Sequence, residues 1–189
     1  MKQLEERILR DGKILPGGIL KVGSFLNHQI DPQLLYDMAL ELKRLYAGEQ
    51  INKILTIEAS GIAIAALTGY VFGCPLLFAK KSKTRNISSD VWSVEVASFT
   101  HGNTSTVIVS KEFLGAGDRV LIVDDFLATG AALIGLKELC EQAGATVVGA
   151  GIAVEKVFQG GGDKLRAEGL RVESLAKIAA MSDERIEFC

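Results

Sequence analysis

Histidine and cysteine are scarce in this chain, and their scarcity removes whole classes of chemistry. Of 189 residues, 2 are histidine and 3 are cysteine. His28 and His101 are too few to build a His/Cys metal cluster. Cys74, Cys140 and Cys189 are odd in number and show no CxxC spacing. That is not the pattern of a disulfide framework, and it points to a reducing compartment. An excess of one charge is missing too: 21 Lys plus Arg stand against 23 Asp plus Glu. So near-neutral a balance gives no global case for nucleic acid or an anionic membrane, and any anion binding must be local. Long apolar runs are absent. "GIAIAALTGYVFG" (61–73) is short and punctuated by Gly, well below the length of a membrane span. The opening "MKQLEERILRDGKIL" is amphipathic and mixed in charge, without the apolar stretch of a signal peptide. The expectation is a soluble, cytoplasmic protein with no nucleic-acid and no membrane partner.

What is there suits one domain over residues 1–189, large enough to bury about 70% of its unfolded surface. A short helix over 2–10 leads into a Gly-rich, irregular segment, and residues 1–30 read as a small hood rather than a core element. Asp31 is placed to cap a helix with Pro32 at its first position. Leu34, Leu35, Met38, Leu42 and Leu45 keep helical spacing, which predicts a helix over 32–47. Strands follow at 53–57 and 76–80 with an apolar helix between them, then a polar, basic loop over 81–90. Segments 91–99 and 105–110 read as a hairpin. Strand 119–123, a helix to Ala143 stopped by Gly144, and strand 146–154 complete the pattern. Continuous apolar strands alternating with helices predict an α/β fold, a mostly parallel sheet flanked by helices. In such sheets ligands bind beyond the carboxyl ends of the strands. Loops 58–61, 80–90, 124–131 and 155–162 lie there, and they carry most of the unusual residues.

The most informative stretch is "VLIVDDFLATGAAL" (120–133). Asp124 and Asp125 are neighbouring carboxylates that repel each other unless they accept hydrogen bonds from a ligand or face a cation. A vicinal diol matches them. Thr129 and Gly130 offer a hydroxyl and a close-approach backbone at a helix N-terminus, an array that holds phosphate. Diol plus phosphate at this spacing suggests a ribose 5-phosphate. The plainer alternative is that both acids cap the following helix. "EASG" (58–61) likewise places backbone donors at a helix start, as an anion loop or an ordinary turn. Lys80, Lys81, Lys83 and Arg85 form a local basic run. Lys83 and Arg85 read equally as a solvated loop, whereas Lys80 and Lys81 adjoin a strand end. "FQGGG" (158–162) either lets backbone approach a ligand or connects two elements.

The 120–133 stretch resembles the phosphoribosyl-diphosphate (PRPP) fingerprint of the type I phosphoribosyltransferases, and the elements in order resemble that fold throughout. The stretch "GGILKVGSFLNHQID" (17–31) is similar to the branch of that family serving bacterial xanthine salvage. The resemblance implies an enzyme of purine salvage that transfers phosphoribosyl from PRPP to N9 of xanthine, giving XMP and diphosphate through a ribosyl cation-like transition state. It implies that Asp124 and Asp125 bind the ribose hydroxyls and that Ala128, Thr129, Gly130, Ala131 and Ala132 wrap the 5-phosphate. Ala59, Ser60 and Gly61, with Lys80 or Lys81, would hold the diphosphate, with a non-proline cis peptide before Ser60. Residues 81–90 would form a flap. Leu20 would pack on the base, Asn27 would bond its edge and Lys156 would donate to its 6-oxo group. Mg²⁺ would arrive on PRPP with no direct protein cage, and the working form would be a homodimer. An apolar face on the 32–47 helix is consistent with that dimer.

Two positions depart from the family pattern. Ala132 stands where many relatives have Thr or Ser, so one phosphate bond must come from backbone or water. Ala128 stands where hypoxanthine-guanine enzymes have Asp, which leaves the acceptor of the base proton unassigned and weakens a hypoxanthine or guanine specificity. Lys156 weakens an adenine specificity. A PRPP-sensing regulator of the same fold is the remaining alternative, and the even charge balance disfavours it.

Overall fold

The computed structural model describes residues 1–81, 90–97, 104–182 and 184–189. Helix α1 (Lys2–Asp11) opens the chain and buries Leu4 and Ile8, one turn apart, against the core. The segment after it is more regular than its composition suggests. Strands β1 (Lys13–Leu15) and β2 (Ile19–Lys21) pair antiparallel, followed by a π-helical turn over Gly23–Asn27. The reversal over Pro16–Gly18 depends on Gly17 and Gly18, whose φ of 84° and 72° lie where other residues are strained. Glycine there marks a tight turn rather than an absence of structure.

Helix α2 (Pro32–Leu45) begins as expected, with the Asp31 carboxylate accepting the Leu34 amide at 3.1 Å. Its apolar face packs into the chain's own core through Leu34, Leu35, Met38 and Leu42. That face is therefore not left over for a partner. Strand β3 (Lys53–Ile57), helix α3 (Ile62–Phe72) and strand β4 (Leu76–Ala79) then form one crossover unit. Strands β5 (Val91–Ala97) and β6 (Thr104–Ser110) make the expected hairpin. Lys80 and Ile108 exchange two backbone bonds of 2.9 Å and join that hairpin to the end of β4.

Strand β7 (Arg119–Leu127) is central, followed by helix α4 (Ala131–Gln142), strand β8 (Thr146–Lys156), helix α5 (Gly161–Ala167), and strands β9 (Val172–Met181) and β10 (Ile186–Phe188). The sheet order is β10-β9-β8-β7-β3-β4, parallel except for β10. One apolar cluster lies under α1, α2 and α3, and the other under α4 and the hairpin. The expected mostly parallel α/β sheet is therefore present. Two strands outrun their predicted ends for one reason. β8 pairs β7 as far as Leu127, opposite Glu155, and β9 pairs β8 as far as Lys156, opposite Ile178. Both acids and Lys156 consequently stand on strands rather than in loops. No helix among the described residues is long and apolar enough to cross a membrane.

Candidate active site

A cavity of about 400 Å³ opens at the carboxyl ends of β3 and β7. The 58–61 turn forms one wall and residues 128–132 another, with Asp124 and Asp125 on its floor and Lys81 at its rim. Asp124 is 5% exposed and Asp125 8%. Apolar Val120–Val123 drives β7 into the sheet interior and carries the acids with it, which is why charged groups end up this deep. Asp124 Oδ1 accepts the Asp125 amide at 2.9 Å, and Asp125 Oδ1 accepts the Phe126 amide at 3.0 Å. Burial, reinforced by the neighbouring Asp125 carboxylate, pushes the Asp124 carboxyl well above the usual carboxylate range, with Lys81 opposing. Neither acid caps α4. The residue before that helix is Gly130, and no side chain bonds there.

The loop expected to hold phosphate ends at a helix start, where backbone amides lack partners within the helix. Gly130 sits at φ 88°, a left-handed turn just before α4, and Ala128–Ala132 line the cavity around it. On the opposite wall, Gly61 is packed so tightly that a methyl group would lie 2.3 Å from Thr56 Oγ1 and 2.7 Å from Asp124 Oδ1. Thr56 Oγ1 is buried there with no hydrogen-bond partner among the described residues.

The expected non-proline cis peptide is present, one bond earlier than predicted: it joins Glu58 to Ala59 rather than preceding Ser60. The Glu58 amide still bonds the Ala79 carbonyl at 3.0 Å, so the strand ladder ends at Glu58 and the turn begins at its own carbonyl. The Glu58 carboxylate accepts the Lys81 amide at 2.7 Å, a link with no signal in the sequence.

The two lysines separate. Lys81 lines the cavity. Lys80 does not: its ammonium lies 5.8 Å from the Phe78 ring, in a second groove of about 710 Å³ with Lys53 and Phe113. Alternation along an extended chain sends neighbours to opposite sides. Lys83 and Arg85, and with them most of the expected flap, fall outside the described residues.

The three residues expected at the base meet this site unequally. Asn27 Nδ2 donates to Asp125 Oδ2 at 2.9 Å, fixing the hood to the acid pair. The half-buried Lys156 ammonium donates to the Gly18 carbonyl at 3.2 Å and lies 6.0 Å from the Phe126 ring, itself part of the cavity wall. Burial lowers the pKa of that ammonium. Leu20, on the hood's own strand β2, is packed into the core and does not line the cavity. The "FQGGG" run packs against the 128–130 turn, where the Gly161 amide bonds the Ala128 carbonyl at 3.2 Å.

A model of the phosphoribosyl transferase domain matches residues 22–167. This chain belongs to the phosphoribosyltransferase family. Over its whole length it is 52% identical to a xanthine phosphoribosyltransferase of Finegoldia magna, covering 99% of that protein. It is 53% identical to one of Bifidobacterium adolescentis, again covering all of this chain and 99% of the other. Among solved structures, the fold is similar to an adenine phosphoribosyltransferase of Giardia lamblia complexed with 9-deazaadenine, at TM-score 0.80 and 23% identity, covering 94% of this chain and 98% of the other. An adenine phosphoribosyltransferase of Thermoanaerobacter pseudethanolicus gives TM-score 0.74 and 26% identity over 92% of this chain and 99% of that one. The type I phosphoribosyltransferase fold expected from the sequence is the fold observed.

Proposed function

We propose that this phosphoribosyltransferase transfers the phosphoribosyl group of PRPP to N9 of xanthine, yielding XMP and diphosphate in purine salvage. One observation carries the reading: an acid pair and a phosphate-wrapping loop line a single cavity, and Asn27 of the hood is bonded to that acid pair. The full-length likeness to proteins named xanthine phosphoribosyltransferase supports xanthine as the base.

In this reading the 5-phosphate lies in Ala128–Ala132, held by amides at the start of α4. Asp124 and Asp125 accept bonds from the ribose hydroxyls and oppose positive charge as it develops at C1′. Ala59, Ser60, Gly61 and Lys81 hold the diphosphate, with Lys81 rather than Lys80 as the cation. The bond from C1′ to the diphosphate oxygen breaks, the bond from N9 to C1′ forms, diphosphate departs, and the imidazole proton of the base passes to solvent water. Lys156 leaves the Gly18 carbonyl to donate to the 6-oxo group, and Asn27 turns from Asp125 toward the base edge. Leu20 anchors strand β2 of the hood in the core.

Mg²⁺ belongs to the reading as an ion carried on PRPP, where it offsets charge on the diphosphate. The donor set fits that arrangement. Among the described residues no three of His, Cys, Asp and Glu are grouped to hold an ion alone, whereas Lys81 and the turn amides suit diphosphate oxygens. A cytoplasmic location fits three unpaired thiols. A homodimer is the proposed working form, supported by Phe78 and Phe113, exposed beside the groove along β4; its mass in solution tests that part.

The deciding assay offers xanthine, guanine, hypoxanthine and adenine in parallel with PRPP and Mg²⁺ and follows nucleotide product. Turnover chiefly with xanthine is expected. Turnover chiefly with another base keeps the PRPP site and overturns the base assignment. PRPP binding without product from any base returns the protein to the sensor reading.

A further inference from the structure

Behind the phosphate loop, away from the cavity, lies a polar cluster that the mechanism above does not use. Glu155, near the end of β8, is 1% exposed. Arg166 of α5 grips it with both arms, Nη1 to Oε1 at 2.9 Å and Nη2 to Oε2 at 2.7 Å. Ser174 of β9 donates to Oε2 at 2.5 Å, and Arg166 Nε reaches the Val172 carbonyl at 3.3 Å. Burial alone would raise the Glu155 pKa, but the Arg166 and Ser174 bonds outweigh it and hold the carboxyl below its usual value, so the pair stays ionised.

This cluster touches the phosphate loop by two routes. Along β8, Glu155 pairs with Leu127, the last residue of β7 before the loop. Through α5, Arg166 fixes a helix whose start is pressed against the loop. A methyl group on Gly161 would lie 2.3 Å from the Ala128 carbonyl and 2.6 Å from the Gly130 amide. One on Gly162 would lie 1.9 Å from Glu155 Oε1. Gly161 and Gly162 together therefore let α5 approach the loop on one side and the carboxylate on the other. No side chain fits in either gap.

We propose that Glu155, Arg166 and Ser174 are positioning residues that set the phosphate-binding conformation of Ala128–Ala132 through the Gly161–Gly162 contact. The inference rests on the reading of that loop as the PRPP phosphate site. A bidentate arginine fork locks orientation as well as distance, which a single ammonium does not. None of the three touches substrate; their effect is on the ground-state affinity for the phosphate group, not on the chemistry at C1′.

The test is PRPP affinity by calorimetry, together with steady-state kinetics and Tm, on wild type, Arg166→Lys and Ser174→Ala. Arg166→Lys keeps the charge and loses the fork. It should weaken PRPP binding about 10-fold, short of the roughly 100-fold that a 1 Å displacement of a reacting group costs. The kcat at saturating PRPP and the KM for xanthine should stay within about twofold. Ser174→Ala removes one hydrogen bond and should weaken PRPP about threefold. A lowered Tm with unchanged PRPP affinity in both variants overturns the proposal and leaves the cluster a packing feature. If Arg166→Lys does not fold, Ser174→Ala decides alone by the same comparison. A wild type that binds PRPP but converts no base sinks the functional reading, and the clamp still stands if the variants bind PRPP more weakly. A wild type that binds no PRPP overturns both.

Discussion

The floor of the site and the hood above it are built on different principles. The floor belongs to β7, paired on both edges and carried inward by Val120, Leu121, Ile122 and Val123, all fully buried. Its acids and its phosphate loop are consecutive in sequence, so one strand and one turn place them together. The hood is an addition. Leu4, Ile8, Val22, Phe25 and Leu26 seat it in the core, and Arg7 ties it to Asp31 at 2.7 Å. Its polar groups reach the site through Asn27 to Asp125 and through the Gly18 carbonyl to Lys156. In the proposed function the floor handles the group being transferred, and the hood handles the base that receives it. Such a division lets specificity change without disturbing the reaction, because among the described residues their polar groups meet at few points, Asn27 at Asp125 and Lys156 beside Phe126.

That division is broken most severely at the floor. Asp125→Asn removes a carboxylate facing developing positive charge, and losing one such electrostatic contact costs about 10²–10³ in kcat. The loss should be equal for xanthine, guanine and hypoxanthine, since the floor does not see the base. Initial rates with each base at saturating PRPP provide the check. A loss confined to xanthine would mean that Asp125 serves the base through Asn27 and not the ribose.

The same division explains which features are legible in the amino-acid sequence. The floor reads directly from "VLIVDDFLATGAAL", because strand, acids and phosphate turn are contiguous and each has a local physical signature. Strands β3, β4, β7 and β8 read as well, from apolar runs, whereas β9 and β10 escape the reading: Glu173, Ser174 and Lys177 interrupt the apolar pattern of β9, and β10 is only three residues long. The hood does not read from spacing. Leu20, Asn27 and Lys156 are scattered, none is chemically unusual, and only resemblance joins them. The strand ends at Leu127 and Lys156 escape the apolar pattern, because they owe their strand state to neighbouring ladders rather than to a continuing hydrophobic run. Glu155 and Arg166 leave a faint signal, a charged residue inside an apolar strand followed by three glycines. Lys80 and Lys81 look alike, and only the direction of the chain at the end of β4 separates them.

On the base side, the informative variant is Lys156→Met. The lysine stem's volume is kept and its charged donor lost. A hydrogen bond involving a charged group contributes about 1.5–3 kcal/mol, so kcat/KM for xanthine should fall roughly 10- to 100-fold. PRPP affinity should not change. Calorimetry with PRPP beside kinetics with xanthine separates the two. Weakened PRPP binding would show that hood and floor are more tightly coupled than the single Asn27–Asp125 bond implies.

The smallest effect concerns stability, and its sign distinguishes two buried acids. Asp124 has its carboxyl pKa raised in the folded state, so the folded chain holds a proton that the unfolded chain has already released. Stability therefore declines as pH rises from the ordinary aspartate range, near 3.9, through the raised folded value, and above that window the cost is complete. Glu155 runs the other way. Its lowered pKa contributes stability above the unfolded value, lost as pH falls through the folded one. Asn at position 124 keeps the carbonyl that accepts the Asp125 amide and removes the charge. Asp124→Asn should thus melt a few degrees higher near pH 7, given that 1 kcal/mol shifts a chain of this size by about 2–4 °C. The gain should vanish below about pH 4, where the wild-type carboxyl is protonated in both states. Thermal melts from pH 3 to pH 8 measure it. A variant that melts lower at neutral pH, or gains more toward acid, would show that Asp124 is held as a stabilising partner. A gain at neutral pH together with lost turnover would mark the acid as one the fold keeps at a cost, for the sake of the ribose.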